Sequence, residues 1–243
     1  MIFDVDGTLV DSERHGHRPA FNRAFEEFDL PYRWSEEEYG ELLRVTGGQR
    51  RLHEYLKEQG LDEDERERLV PDLHARKSEI FKELVGDGEL EVRPGVVRLL
   101  SEIQEADRAL AVVTTGSGDW VEALLEQVVP DVRFPVMVFG DDVSERKPDP
   151  EAYEVALERL GLDAAQAVAV EDSEEGLRSA KAAHLACVVV VNGYTAEHDL
   201  DGADLVLDGF GEETAPARVV ADPHATGSDG ILGLGTLERL VEG

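Results

Sequence analysis

From residue 92 onward, short apolar runs alternate with stretches of helical period. The runs read ALAVVTT, FPVMVFG, AVAVED, ACVVVVNG and ADLVLDG. They are rich in β-branched residues and short enough for buried strands. Between them, Val96, Leu99, Leu100 and Ile103 fall on one helical face. Tyr153, Ala156, Leu157 and Leu160 do the same, with Gly161 placed to stop the second helix. Such alternation predicts βαβ units, hence an α/β fold with a mostly parallel sheet flanked by helices. MIFDV at the amino terminus joins as a further buried strand.

Residues from about Ser12 to Glu91 follow another pattern. FNRAFEEF, EEEYGELLRV and LVPDLHARKSEIFKELV are helical, strongly charged and without good strand signals. RPGVVRLL then restarts the α/β pattern, with Pro94 and Gly95 as punctuation. The expected organisation is a core of residues 1–11 and 93–243 with a helical insertion at 12–92. The insertion leaves just after the first strand, so it is expected to act as a lid over the sheet's carboxyl edge. After about Gly211 the chain is less regular, reading as loop with a hairpin and a short closing helix. There are no repeats, no GxxxxGK[ST] loop and no GxGxxG following a strand, so nucleotide-binding motifs are absent.

Composition narrows the function classes. The 243 residues, 42% of them hydrophobic, suffice to bury a real core. No stretch approaches the roughly 18 consecutive apolar residues of a membrane span, and no signal peptide precedes the first motif. Only three residues precede Asp4, so the native start is expected upstream of Met1. The single cysteine, Cys187, lies in an apolar run and reads as buried packing. It excludes an internal disulfide and fits a cytoplasmic location. With 54 acidic and 24 basic residues the formal charge is −30, which argues against nucleic-acid binding and against docking on anionic membranes. Only Lys57, Lys77, Lys82, Lys147 and Lys181 are lysines. An acidic, lysine-poor surface stays solvated in concentrated salt, and a salt-loving host is expected.

The opening stretch raises a chemical question. Asp4 and Asp6 repel each other unless something cationic lies between them, and Gly7 allows the backbone a sharp turn beside a ligand. A strand end followed by an Asx-type turn explains the same residues without chemistry. A calcium loop does not, because its glycine and glutamate positions hold Leu9 and His15. Thr114 with Thr115, Lys147, and Glu171 with Asp172 also stand at predicted strand ends. In an open parallel sheet the carboxyl ends of the strands meet along one edge, where ligands bind, so these distant groups are expected to converge.

DVDGT, Thr114, Lys147 of KPDP, and EDS resemble, in order, the four motifs of the haloacid dehalogenase superfamily. The finer match is to CbbY-type sugar phosphatases, through DVDGTLVDSERHGHRPAFN, the GG..R segment at Gly47, the LHARKSEIF helix, RPGV, KPDP, VEDS and GYTAE. This resemblance implies a Rossmann-like core with a helical cap of the C1 type. It implies a Mg²⁺-dependent phosphatase in which Asp4 is the nucleophile and Asp6 the general acid and base. Thr114 and Lys147 would steady the phosphoryl group and the charge on Asp4. The metal would sit among Asp4, the carbonyl of Asp6, Asp172 and Glu171. Substrate contacts would come from His17, Arg18, the Thr46–Arg51 loop with Gly47, Gly48, Gln49, Arg50 and Arg51, and from Lys77 and Thr115. The residues alone leave Arg50, Arg51 and Lys77 equally readable as solvated helix charges, and His15, His53 and His74 as surface histidines. The implied partner is a phosphorylated sugar, best xylulose 1,5-bisphosphate, with phosphoglycolate second; a monomer or weak dimer is expected. A β-phosphoglucomutase-like mutase and a non-catalytic binding module are the alternatives. Relatives carry GGKER where this chain has Gln49, Arg50 and Arg51, and a glycine where it has His184.

Overall fold

The computed structural model describes residues 1–45 and 47–242, apart from the side chain of Glu242. They divide into two compact units, Met1–Asp11 with Glu91–Gly243, and Ser12–Leu90.

The first unit is built on a seven-stranded sheet among the described residues. Its strands are β1 (Ile2–Phe3), β2 (Ala111–Val113), β3 (Val136–Val138), β4 (Val168–Glu171), β5 (Ala186–Val190), β6 (Leu205–Leu207) and β7 (Val219–Ala221), ordered β3-β2-β1-β4-β5-β6-β7. All neighbours are parallel except β6 and β7. The runs expected as strands all form them; of the segment after Gly211, where a hairpin was expected, only β7 is a strand among the described residues, and it pairs antiparallel with β6, which precedes Gly211. Ile2 lies opposite both Ala111 and Ala169, so β1 sits in the middle, fully covered. The chain winds from β1 to β2 and β3 on one side and then crosses back to β4 on the other. That reversal makes β1/β4 the switch point at which an open sheet leaves a crevice beyond its carboxyl ends. Asp4 extends the ladder by donating its amide to the Val170 carbonyl at 3.0 Å.

The second unit is helical: a π-helical turn (Glu13–His17), then α1 (Arg18–Glu27), α2 (Glu36–Leu42), α3 (Gly48–Glu58) and α4 (Glu63–Gly86). Phe21, Phe25, Trp34, Tyr39 and Tyr55 form its aromatic centre. Asn22 fixes the backbone of Trp34 from both sides, donating to its carbonyl at 2.9 Å and accepting from its amide at 2.7 Å. A capping box of Asp62 and Glu65 starts α4, which runs through Pro71 where that residue's ring is exposed.

The remaining helices flank the sheet: α5 (Val96–Glu105), α6 (Gly118–Val128), α7 (Glu151–Leu160), α8 (Glu174–Ala182) and α9 (Leu234–Glu242). α7 lays Tyr153, Ala156 and Leu157 onto the buried face that includes Val113, Val138 and Cys187, and stops at Gly161 as expected. The carboxy-terminal segment is pinned by α5. Arg98 donates to the carbonyls of Gly211 and Leu232 at 3.0 and 3.1 Å, and Glu102 accepts from the Leu234 amide at the start of α9.

Candidate active site

Each reactive group in the first unit owes its position to a strand end. Asp4 follows β1, Thr114 follows β2, Glu171 closes β4 and Asp172 follows it. Asp4, Glu171 and Asp172 are buried, at 6%, 1% and 6% exposure, and one carboxylate oxygen of each lies within 4.8 Å of the others. Lys147, from the loop ahead of α7, enters the same cluster with its side chain 5% exposed. Its ammonium donates to Asp4 Oδ1 at 2.8 Å, to Glu171 Oε1 at 2.5 Å and to the Val113 carbonyl at 2.8 Å.

Electrostatics make this a cation-seeking site. Three buried carboxylates face one lysine. Desolvation, then the charge of Asp4, push Glu171 up to about 7 even against Lys147 and the hydroxyl of Tyr153. Burial, followed by repulsion from Asp4 and Glu171, also holds Asp172 well above the usual carboxylate range. For Lys147, burial alone would favour the neutral form, but Asp4 and Glu171 outweigh it and keep the ammonium firmly charged. Asp4 Oδ2 is buried without a hydrogen-bond partner. An unpaired carboxylate oxygen at the centre of such a cluster is a donor that a cation would satisfy. The donors are all oxygen, with no histidine or cysteine among them, which suits a hard ion such as Mg²⁺ better than zinc. Asp6 contributes no carboxylate to the cluster; its side chain is half-buried. Thr114 is buried and accepts from the Gly116 amide at 3.0 Å, so its own hydroxyl proton remains to donate.

Three residues absent from the sequence reading of the site belong to it. Tyr153, read only as core, donates its hydroxyl to Glu171 Oε1 at 2.5 Å. Asn192 donates to Asp172 Oδ2 at 2.7 Å and to the Gly7 carbonyl at 3.2 Å. Arg93 donates to Gly7 at 2.7 Å. The only hint was position: an asparagine closing the VVVVN run, and an arginine opening RPGV.

The residues expected in the helical unit are not alike. Lys77 is 7% exposed, lies 2.9 Å from His17 Nδ1, and packs over the rings of Phe21 and Phe81. His17 stacks on Phe81 with ring centroids 3.9 Å apart. Burial first, then Lys77, Arg51 and His74, hold its ring neutral well below the usual histidine range. Arg51 is 7% exposed and donates to the Leu42 carbonyl and to the hydroxyl of Tyr39, which in turn donates to Glu13. Reading Arg51 and Lys77 as solvated charges is therefore wrong: an aromatic pocket assembled from distant segments encloses both. His74 is half-buried, its proton affinity lowered by burial and then by Lys77 and Arg51, and His53 is half-buried beside Arg66. Both differ from the expected surface histidines; His15 is exposed. Arg18 approaches Glu36 and the Trp34 carbonyl at 3.5 Å. Gly48 is half-buried, while Gly47, Gln49 and Arg50 are exposed at the start of α3. Thr115 is exposed on the first unit. Thr46 lies outside the described residues.

Against known proteins, the family model for haloacid dehalogenase-like hydrolases matches residues 1–190. The chain belongs to the haloacid dehalogenase-like hydrolases. Protein CbbY of Cereibacter sphaeroides is 41% identical over 215 residues, covering 87% of this chain and 92% of the relative. The crystal structure of CbbY from Rhodobacter sphaeroides in complex with phosphate has a TM-score of 0.76 at 38% identity, over 98% of this chain and 97% of that one. A mutant of CbbY from the same organism, in complex with xylulose-(1,5)bisphosphate, has a TM-score of 0.74 at 40% identity, over 87% and 94% of the two chains. The fold is thus the family's Rossmann-like one. Within the family the chain is CbbY-type, an enzyme of the phosphoric monoester hydrolases.

Proposed function

We propose that the chain hydrolyses a small sugar phosphate through an aspartyl-phosphate on Asp4, with Mg²⁺ held by Asp4, Asp172, Glu171 and the carbonyl of Asp6. The observation that carries this is the buried Asp4–Glu171–Asp172 cluster with Lys147 inside it. Bound there, the cation would neutralise the cluster and draw charge from a phosphoryl oxygen. The protein's own groups perform the steps. A carboxylate oxygen of Asp4 attacks phosphorus and forms the acyl phosphate, while the bond from phosphorus to the sugar oxygen breaks. Asp6 gives its proton to the departing alkoxide. It then takes one from the water that attacks phosphorus, which releases phosphate and restores Asp4. Thr114 donates to a phosphoryl oxygen, and Lys147 offsets charge through the transition state.

The helical unit is assigned the reading of the remaining substrate. Arg50 is exposed and makes no ion pair among the described residues, and Lys77, held against the neutral ring of His17, is a preorganised cation. A bisphosphate is the favoured substrate because a neighbour of 40% identity is in complex with xylulose-(1,5)bisphosphate. The charge of −30 supports an enzyme adapted to concentrated salt, and the single cysteine, Cys187, fits work in the reducing cytoplasm.

A sugar-phosphate panel, assayed with Mg²⁺ in high and low salt, tests the reading. Phosphate release preferring bisphosphates is expected, and Asp4→Asn is expected to abolish it. Preference for monophosphates counts against the bisphosphate. Conversion of β-glucose 1-phosphate to the 6-phosphate without phosphate release overturns the hydrolase.

A further inference from the structure

Two side chains outside the reacting set meet at one main-chain oxygen. The Gly7 carbonyl accepts from Arg93 at 2.7 Å and from Asn192 at 3.2 Å. Arg93 lies just after the chain re-enters the sheet unit at Glu91. Its amide bonds to the Leu9 carbonyl at 2.9 Å, and Val92 bridges to Val10. From there its guanidinium runs beneath the Asp4–Gly7 turn. Besides Gly7 it reaches the carbonyls of Val190 at 2.8 Å and Val191 at 2.6 Å, and it lies over the ring of Phe210. A single planar fork thus ties the turn after β1 to the end of β5.

Asn192 completes the tie on the other side. Its carbonyl oxygen accepts from the Tyr194 amide at 2.8 Å, which fixes the orientation of the amide group. The amide nitrogen is left facing Asp172 Oδ2 at 2.7 Å and Gly7. Three strand ends, β1, β4 and β5, are therefore linked through two side chains that touch no reacting atom.

We infer that Arg93 and Asn192 are positioning residues: they lock the Asp4–Gly7 turn and the Asp172 carboxylate at the spacing a divalent cation requires. Without Asn192, Asp172 loses its neutral donor and is free to turn away from Asp4, whose charge repels it. Without Arg93, the carbonyls of Gly7, Val190 and Val191 lose its hydrogen bonds, Gly7 keeping only Asn192, and the turn carrying Asp4 and Asp6 loosens from β5. The inference rests on the metal reading above.

The test is calorimetric titration of the metal-free full chain with Mg²⁺ alone, for the unaltered protein, Asn192→Ala and Arg93→Gln. Losses of about 10- to 100-fold in Mg²⁺ affinity are expected for both, as for other groups that orient metal ligands. The substrate KM at saturating Mg²⁺ should stay within about twofold, consistent with residues that act on the carboxylates rather than on the sugar. Arg98→Ala is the comparison, since Arg98 also ties several carbonyls but far along α5. It should lower the urea midpoint and leave Mg²⁺ affinity unchanged. If Arg93→Gln does not fold, Asn192→Ala decides. Mg²⁺ affinity within about twofold of the unaltered chain in the folded variants overturns the inference alone. Failure of the unaltered chain to bind Mg²⁺ overturns the metal reading and this inference with it.

Discussion

His184 closes α8 in a backbone conformation that costs a histidine dearly. Its φ is 62°, in the left-handed region, where the side chain's Cβ crowds the following carbonyl. The turn requires this conformation. His184 donates its amide to Lys181 at 3.0 Å and Leu185 donates to Ala180 at 3.0 Å, satisfying the last carbonyls of the helix in the manner of a Schellman cap. The imidazole is exposed, so replacing it removes no core packing. His184→Gly should therefore recover the left-handed strain, about 1–2 kcal/mol. Against this, glycine loses about 0.4–1 kcal/mol through the greater freedom of the unfolded chain. The net is stabilisation of about 0.5–1 kcal/mol. For a chain of this length that is a rise of roughly 1–4 °C in melting temperature. Urea unfolding and thermal circular dichroism of His184→Gly and His184→Ala together decide the point. Alanine carries the same Cβ, so it should gain nothing. A glycine variant no more stable than the alanine variant would refute the strain.

Lys147→Met removes the one cation that touches both Asp4 and Glu171 among the described residues. It should abolish phosphate release and lower metal-free stability at pH 8 by about 3 kcal/mol, read from urea midpoints. The loss should shrink near pH 6, where Glu171 can take up a proton; an unchanged midpoint at pH 8 would contradict the described cluster. His17 titrates at its ordinary value when unfolded and well below it when folded, so the unfolded chain binds the extra proton as pH falls. Its contribution is complete above about pH 6.5 and is lost below, at up to about 1.4 kcal/mol per pH unit. The unaltered protein should thus lose more stability between pH 7.5 and 5 than His17→Gln does; parallel pH profiles would rule out a buried neutral imidazole. Raising KCl from 0.1 to 1 M shortens the screening length from about 10 to 3 Å. Surface repulsion of an anionic substrate should fade, so KM should fall several-fold while kcat changes by less than about twofold. A rising KM would count against the charge argument.

What was legible in the sequence was whatever local pattern specifies. Strands β2 to β6 are short apolar runs, mostly β-branched and largely buried, alternating with helical periods as a parallel α/β sheet requires. The convergence of Asp4, Lys147, Glu171 and Asp172 followed from parallel topology, because each carboxylate closes or follows a strand and Lys147 lies in a loop that enters at the same edge. Burial of charge was not legible. Arg51 and Lys77 sit among glutamates in sequence, yet Tyr39, Phe21 and Phe81 come from three separate helices to enclose them. Arg93 and Asn192 escaped notice because their partners are main-chain carbonyls, which carry no residue identity to search for. The Schellman geometry at His184 was visible only as a missing glycine.

The same geometry explains why two short motifs carry glycine where they do. Asp4 is still in register with β4, so the chain must leave the sheet within a few residues, and Gly7 does so at a φ of +83°. A Cβ there would stand 2.3 Å from Asp172 Oδ2. In the second motif, Glu171 and Asp172 supply carboxylates, and Ser173 caps α8 by accepting from the Gly176 amide at 3.2 Å. Gly176 lies in the first turn of that helix, against Glu171, and a Cβ on it would fall 2.0 Å from Glu171 Oε2. Each glycine thus clears the volume of one carboxylate, and the two carboxylates flank Asp4 across the switch point. Any side chain at Gly7 also meets a forbidden φ, whereas one at Gly176 meets only the carboxylate. The two positions are constrained for different reasons: Gly7 by the turn and the carboxylate together, Gly176 by the carboxylate alone. DxDG and EDSxxG are therefore two halves of one packing problem, how to bury three carboxylates around a single small volume without filling it.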